Sequence, residues 1–288
     1  MSEATGVIHD IGYQRYTGPR LGRGYVFTSM YVHGLRTAFG LGRSAKAKIF
    51  PWFVVGVVLL TGVILAAVKA QVPDAGVTYR AFVDMMAWLV VFFVAVVAPE
   101  LVSRDLRAGV LPLYFSRPLR RTDYAYAKLA ALATSVWLLL GAPQIVMFLV
   151  AAFSADNMSQ FWTEVGDVGP GLLYAAMWAA VFAGIGLLVA SLTGKRAFAA
   201  GGIVAVFLMT TPIVGVFSVM PSQTMNELAL LFSPSSLVFG VGIWMFGTVE
   251  GDTDTIGPFG PLYLAVMIGL VAGCVALLQA RYRKVASS

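Results

Sequence analysis

The densest cluster of groups able to do chemistry lies in residues 100–128, ELVSRDLRAGVLPLYFSRPLRRTDYAYAK. It holds Arg104, Asp105, Arg107, Arg117, Arg120, Arg121 and Asp123, between two long apolar runs. These side chains suit ion pairing, with lipid headgroups or with another protein, rather than nucleophilic bond making. At the centre of a bilayer each costs about 2.5–3.5 kcal/mol, so together they cost on the order of 17 kcal/mol before any pairing. The stretch therefore belongs outside the hydrocarbon. It is more than a polar loop, because Leu101, Val102, Leu106, Val110, Leu111, Leu113, Tyr114 and Phe115 give it apolar surface that needs cover. Gly109 and Pro112 divide it. The expected form is a short helix ending near Gly109, a turn, and a second apolar segment running to Phe115.

Other reactive types are sparse. Histidine occurs only at positions 9 and 33, which excludes a histidine-based metal site or catalytic pair. Cys274 is the single cysteine and lies in an apolar run, so no disulfide can form within the chain. The turn SLTGKR superficially matches a phosphate-binding loop. Such a loop needs glycine five positions before Gly194 and Ser or Thr after Lys195, and here those positions hold Val189 and Arg196. The chain thus has no nucleotide motif of its own. Arg80 and Asp84 are four apart at the start of an apolar run and fit a local helical pair. A proton or ion site at Asp84 is the sharper alternative. Pro143 predicts a kink within another run, and Gln144 beside it suits helix packing, relief of freed backbone groups, or the lining of a path.

The elements that must position these residues follow from composition. Of 288 residues, 59% are hydrophobic and 12% charged, with mean hydropathy +0.82. Soluble domains carry about 25% charged residues, so the chain reads as an integral membrane protein. The expected fold is all-α, with six transmembrane helices at about 49–70, 79–101, 123–153, 171–192, 197–220 and 259–280. Residues 1–48 form a cytoplasmic segment whose part from 24 to 39 reads as an amphipathic interface helix. The same pattern fits a surface helix without lipid contact. Arg36, Arg43, Lys46 and Lys48 would meet headgroups. Residues 49–280 form the transmembrane domain and 281–288 a cytoplasmic tail. The stretch 154–170 reads as an acidic outer loop. Residues 221–258 are too apolar for a simple loop and fit two short re-entrant helices near the outer face, a full extra span being the alternative. Gly269 and Gly273 make a GxxxG pair that fits packing within the protomer or dimerisation.

Charge sorts with this layout. The proposed inner side holds every basic residue except Lys69 and Arg80, and the outer side holds Asp74, Asp156, Glu164, Asp167, Glu227, Glu250, Asp252 and Asp254. Positive charge marks the cytoplasmic side, so both ends are expected there, in the inner membrane. No apolar h-region precedes the first span, which agrees with a cytoplasmic N-terminus. The net charge of +6 is spread over the ends of apolar runs, which is a topology signal and gives no nucleic-acid footprint.

Residues 100–128 resemble the signature of the ABC-2 family of exporter membrane subunits. The matching residues are Glu100 and Asp105 at the end of the second span, then Gly109, Leu111 and Leu113, Pro118 with Arg120 or Arg121, and Lys128 entering the third span. Ser233 and Pro234 also match the family's habit. The family often has an acidic residue where Pro112 stands, so docking contacts here would differ. The resemblance implies a permease subunit with a cytoplasmic coupling helix between spans 2 and 3. It also implies a cytoplasmic ABC ATPase as partner, and ATP and Mg bound by that partner rather than by this chain. A second permease chain, identical or related, would complete the unit within membrane lipid. The residues expected to couple to the ATPase are Glu100, Arg104, Asp105, Leu106, Arg107, Gly109, Arg117 and Pro118. Two other classes remain on the residues alone. An ion-coupled carrier or channel usually carries ionisable residues near mid-membrane. A membrane-embedded enzyme needs acids, histidines or cysteines gathered on one face. The charges of residues 100–128 would equally serve to anchor the loop at the headgroups.

Overall fold

The computed structural model describes residues 18, 21–72, 76–109, 120–155, 157–248 and 254–285. It is 86% helical, and no strand occurs among the described residues. The helices are α1 (Arg23–Ala38), α2 (Ala45–Gln71), α3 (Tyr79–Met85), α4 (Ala87–Leu101), α5 (Ser103–Arg107), α6 (Arg121–Phe153), α7 (Met158–Ser191), α8 (Arg196–Ser218), α9 (Gln223–Leu228), α10 (Pro234–Phe246) and α11 (Gly260–Val285). Five of them, α2, α6, α7, α8 and α11, are long and apolar enough to cross a membrane. Two bent pairs pass the same test together: α3 with α4, bent by 54°, and Gln223–Phe232 with α10, bent by 119°. The chain is a multi-pass helical membrane protein.

The long helices form because apolar residues run without interruption, so each backbone satisfies its own hydrogen bonds in lipid. α7 is the most buried of them and α8 the least. Around α7 the core is aromatic: Phe182 stacks on Phe207 at 4.3 Å, and Trp178 lies 4.8 Å from Phe182. Close approach is made by small residues. A Cβ on Gly62 of α2 would stand 2.7 Å from Pro143 Cβ, and one on Gly186 of α7 would collide with Val94 of α4. α6 continues through Pro143 as one helix.

α1 does not lie apart from the bundle. Arg23 holds Asp123 of α6 with two contacts, at 2.5 and 2.6 Å. Tyr31 donates to Thr134 at 3.2 Å, and Gly34 is buried against Ala131 and Leu101. Gly40, at φ +67°, turns the chain into α2, where a side chain would strike the Ala47 carbonyl. Trp52 donates its indole N–H to the Phe39 carbonyl at 3.1 Å and closes the turn.

Two sequence expectations are corrected. The second apolar run is broken at Met86 although no glycine or proline stands there, and α3 departs from α4 in direction. The acidic connection expected at 154–170 is helical from Met158, so α7 begins well before Gly171. Asn157 accepts the Gln160 N–H at 2.9 Å, while Lys69 and Tyr79 both grip Glu164 at 2.7 Å. These contacts outweigh the weak helix preference of Gly166, Gly169 and Pro170. At roughly 50 Å each, α6 and α7 exceed the ~30 Å hydrocarbon thickness, so their shared hairpin extends past it. Past residue 280 α11 continues through Val285, where Tyr282 is buried edge-on against Tyr124 at 5.1 Å.

Candidate functional site

The charged side chains gather at the two ends of the bundle. One end is basic, around Glu100, α5 and the start of α6. The other is acidic, around Glu164, Asp167 and Glu227. At the basic end Leu101 closes α4, and α5 follows after a single residue, Val102. α5 is short and ends just before Gly109, which takes φ +62°. Ser103 donates to the Ala190 carbonyl at 2.8 Å and pins the start of α5 to the end of α7. Arg107 Cα lies 3.8 Å from where a Cβ on Gly194 would stand, so α5 abuts the turn between α7 and α8.

Glu100 and Asp105 are satisfied within the chain. Arg43, from the turn before α2, meets Glu100 at 2.5 Å. Arg196, at the start of α8, holds both Glu100 oxygens, one of them at 2.8 Å. Asp105 accepts from Lys128 Nζ at 2.9 Å and from the Tyr124 hydroxyl at 2.8 Å, both on α6. Lys128 is buried, so Asp105 supplies the counter-charge that an ammonium there requires. Asp123 sits in the first turn of α6. It accepts the Arg120 backbone N–H at 3.3 Å and the Arg23 guanidinium from α1. The Arg23 guanidinium is in turn held more firmly protonated, above its usual range, by the hydrogen bond to Asp123. Each of these carboxylates thus joins two or more helices.

The residues expected to couple to a partner fall into three groups. Glu100 and Asp105 come together as internal anchors: their oxygens face Arg43, Arg196, Lys128 and Tyr124. Arg107, the last residue of α5, and Gly109 beyond it are exposed. Arg117 and Pro118 lie outside the described residues, as do the side chains of Arg104 and Leu106 and the second apolar segment through Phe115. The sequence reading did not pair Arg43, Arg196, Lys128 or Tyr124 with these acids. A usable signal existed, since acids are few on this basic side and each would be expected to find a cation. An open cavity of about 1130 Å³ beside the site is lined by Arg36, Arg43, Glu100, Asp105 and Lys128, among others.

At the acidic end Lys69 and Tyr79 meet on Glu164. The expected Arg80–Asp84 pair forms at 3.6 Å, with Arg80 buried and Asp84 half-buried. Arg80 also donates to the Gly247 carbonyl, just past the C-terminus of α10, where a cation is favourable. Tyr174 of α7 donates to Asp84 at 2.5 Å. A Cβ on Gly269 or Gly273 would meet nothing within 4 Å, so neither glycine is required by a close approach within the protomer. Among the described residues no group of three or more His, Cys, Asp or Glu is placed to hold a metal ion.

No protein-family model matches the chain, nor does any curated protein. The functional reading therefore rests on this geometry and on the resemblance of residues 100–128.

Proposed function

We propose that the chain is the permease subunit of an ATP-driven exporter of the ABC-2 type, working in the cytoplasmic membrane with a separate ATPase. The observation that carries this is the placement of α5. It is a short helix between two apolar helices at the basic end, tied to α6 and α7 and flanked by the Glu100 clamp to α2 and α8. A push on its exposed side is shared among several helices rather than lost in a loop. The internal ion pairs make it a stiff lever, and Arg107 is the charged group it presents outward. The partner binds ATP and Mg, since the SLTGKR turn lacks the residues for it.

In this reading α3 and α4 count as one bent span, which with the five long helices makes six. Both chain ends lie on the basic, cytoplasmic side. The pair bent by 119° is re-entrant from the outer face, and α1 lies at the inner interface. The open Gly269–Gly273 face of α11 is free for lipid or for a second permease chain.

The test is co-purification with the cognate ATPase from membranes. Arg107→Glu is expected to reduce the recovered ATPase and the ATP turnover of the complex, with the permease itself intact. Undiminished recovery and turnover refute the lever, and ATP hydrolysis by the purified chain alone refutes the class. One observation favours a second reading, an ion-coupled carrier: the buried Arg80 paired with half-buried Asp84 among the helices.

A further inference from the structure

Gln144 is fully buried on α6, and neither its amide nitrogen nor its amide oxygen has a hydrogen-bond partner. Its Oε1 lies 2.5 Å from the point where a Cβ on Gly171 would stand, and Tyr79 Cβ lies at the same distance from that point. Gly171 and Tyr79 also line a cavity of about 380 Å³ at the acidic end, together with Lys69, Arg80, Asp167 and Phe246. Gln144 thus stands directly behind the wall of that cavity. The wall is thin there because Gly171 has no side chain. An orphaned amide in a membrane interior is costly, and a leucine or methionine would fill the same space without that cost.

The other half of the wall belongs to one short helix. Tyr79 is the first residue of α3, a short helix that departs from α4 at Met86 with a 54° bend. Polar latches hold α3 closed: Tyr79 to Glu164, Arg80 to the Gly247 carbonyl, and Tyr174 to Asp84. Tyr79 and Arg80 line the cavity, so their latches can exchange a partner for water there.

We propose that the space behind Tyr79 is a ligand site that opens on this cavity when α3 swings about Met86. Gln144 then offers a carbonyl acceptor and an amino donor to an uncharged hydrogen-bonding group, such as an amide or a hydroxyl. An uncharged group fits because Gln144 and its neighbours Pro143, Gly171 and Tyr79 bring no charge, and the apolar wall at Phe246 suits the rest of an amphipathic molecule. The site does not depend on how the basic end is driven.

Cys274 is the sole cysteine, so Gln144→Cys in a Cys274→Ala background reports on this position alone. The probe is methyl methanethiosulfonate, small and uncharged like the group the site would take, applied to the membranes. Gln144→Cys should react slowly, and adding Tyr79→Phe should speed the reaction about fivefold, the factor that one net hydrogen bond represents. Thr163→Cys, exposed on α7, should react at one rate in both backgrounds and shows that the reagent has access. A Gln144→Cys protein that stays unmodified while Thr163→Cys reacts overturns the proposal, as does a rate that Tyr79→Phe leaves unchanged. In a second measurement, Gln144→Leu should raise the thermal midpoint of the purified protein. A lowered midpoint means the amide is satisfied inside the closed structure, and the proposal falls.

Discussion

Replacing Asp105 by asparagine keeps the shape of the side chain and removes its charge. In the structure Asp105 holds Lys128 at 2.9 Å, with the Lys128 side chain 7% exposed and that of Asp105 17% exposed. Removing one partner of a buried pair costs about 3–5 kcal/mol, because the other charge is left uncompensated. The lower figure applies here, since the Tyr124 hydroxyl still reaches position 105 and the Tyr124 ring lies 5.3 Å from Lys128 Nζ. A loss of about 3 kcal/mol lowers the unfolding midpoint by roughly 6–10 °C in a chain of this size. The assay is thermal unfolding of the detergent-solubilised protein, followed by loss of the monodisperse peak. Lys128→Met should destabilise by a similar amount for the converse reason. The double variant should be more stable than the sum of the two losses predicts, by about 2 kcal/mol. A shift under 2 °C for Asp105→Asn, or strict additivity, would refute the claim that this pair fastens α5 to α6.

Gly62→Val places methyl groups where a Cβ would already stand 2.7 Å from Pro143, so overpacking should cost about 1–3 kcal/mol; an unchanged midpoint in the same assay would show that α2 and α6 separate easily. Asp84→Asn leaves Arg80 buried beside the Gly247 carbonyl and should lower stability by about 3 kcal/mol. In vesicles, transport by Asp84→Asn that stays ATP-driven supports the exporter, whereas loss of coupling to a proton gradient would favour the carrier. Gly269→Ile with Gly273→Ile should leave the midpoint of the isolated chain within about 0.5 kcal/mol, since both positions are open; crosslinking in membranes then shows whether this face joins two permease chains.

The helical class and the placement of most long helices were legible in the sequence for one physical reason. In lipid a backbone must satisfy itself, so an uninterrupted apolar run has few alternatives to a helix. The charge of residues 100–128 was legible for the converse reason, because such a cluster cannot remain in hydrocarbon. Tertiary structure decided what local pattern left ambiguous. Gly166, Gly169 and Pro170 read as loop, yet α7 passes through them because Asn157 caps it and Glu164 is held from α2 and α3. The bend at Met86 has no breaker in sequence, and α3 leans where Arg80 and Asp84 find partners on α10 and α7. The partners of Glu100 and Asp105 were not legible, because sequence shows a charge without its direction. Their partners, Arg43, Arg196 and Lys128, come from segments as far as 96 residues away, and only the packing of α2, α6 and α8 brings them within reach.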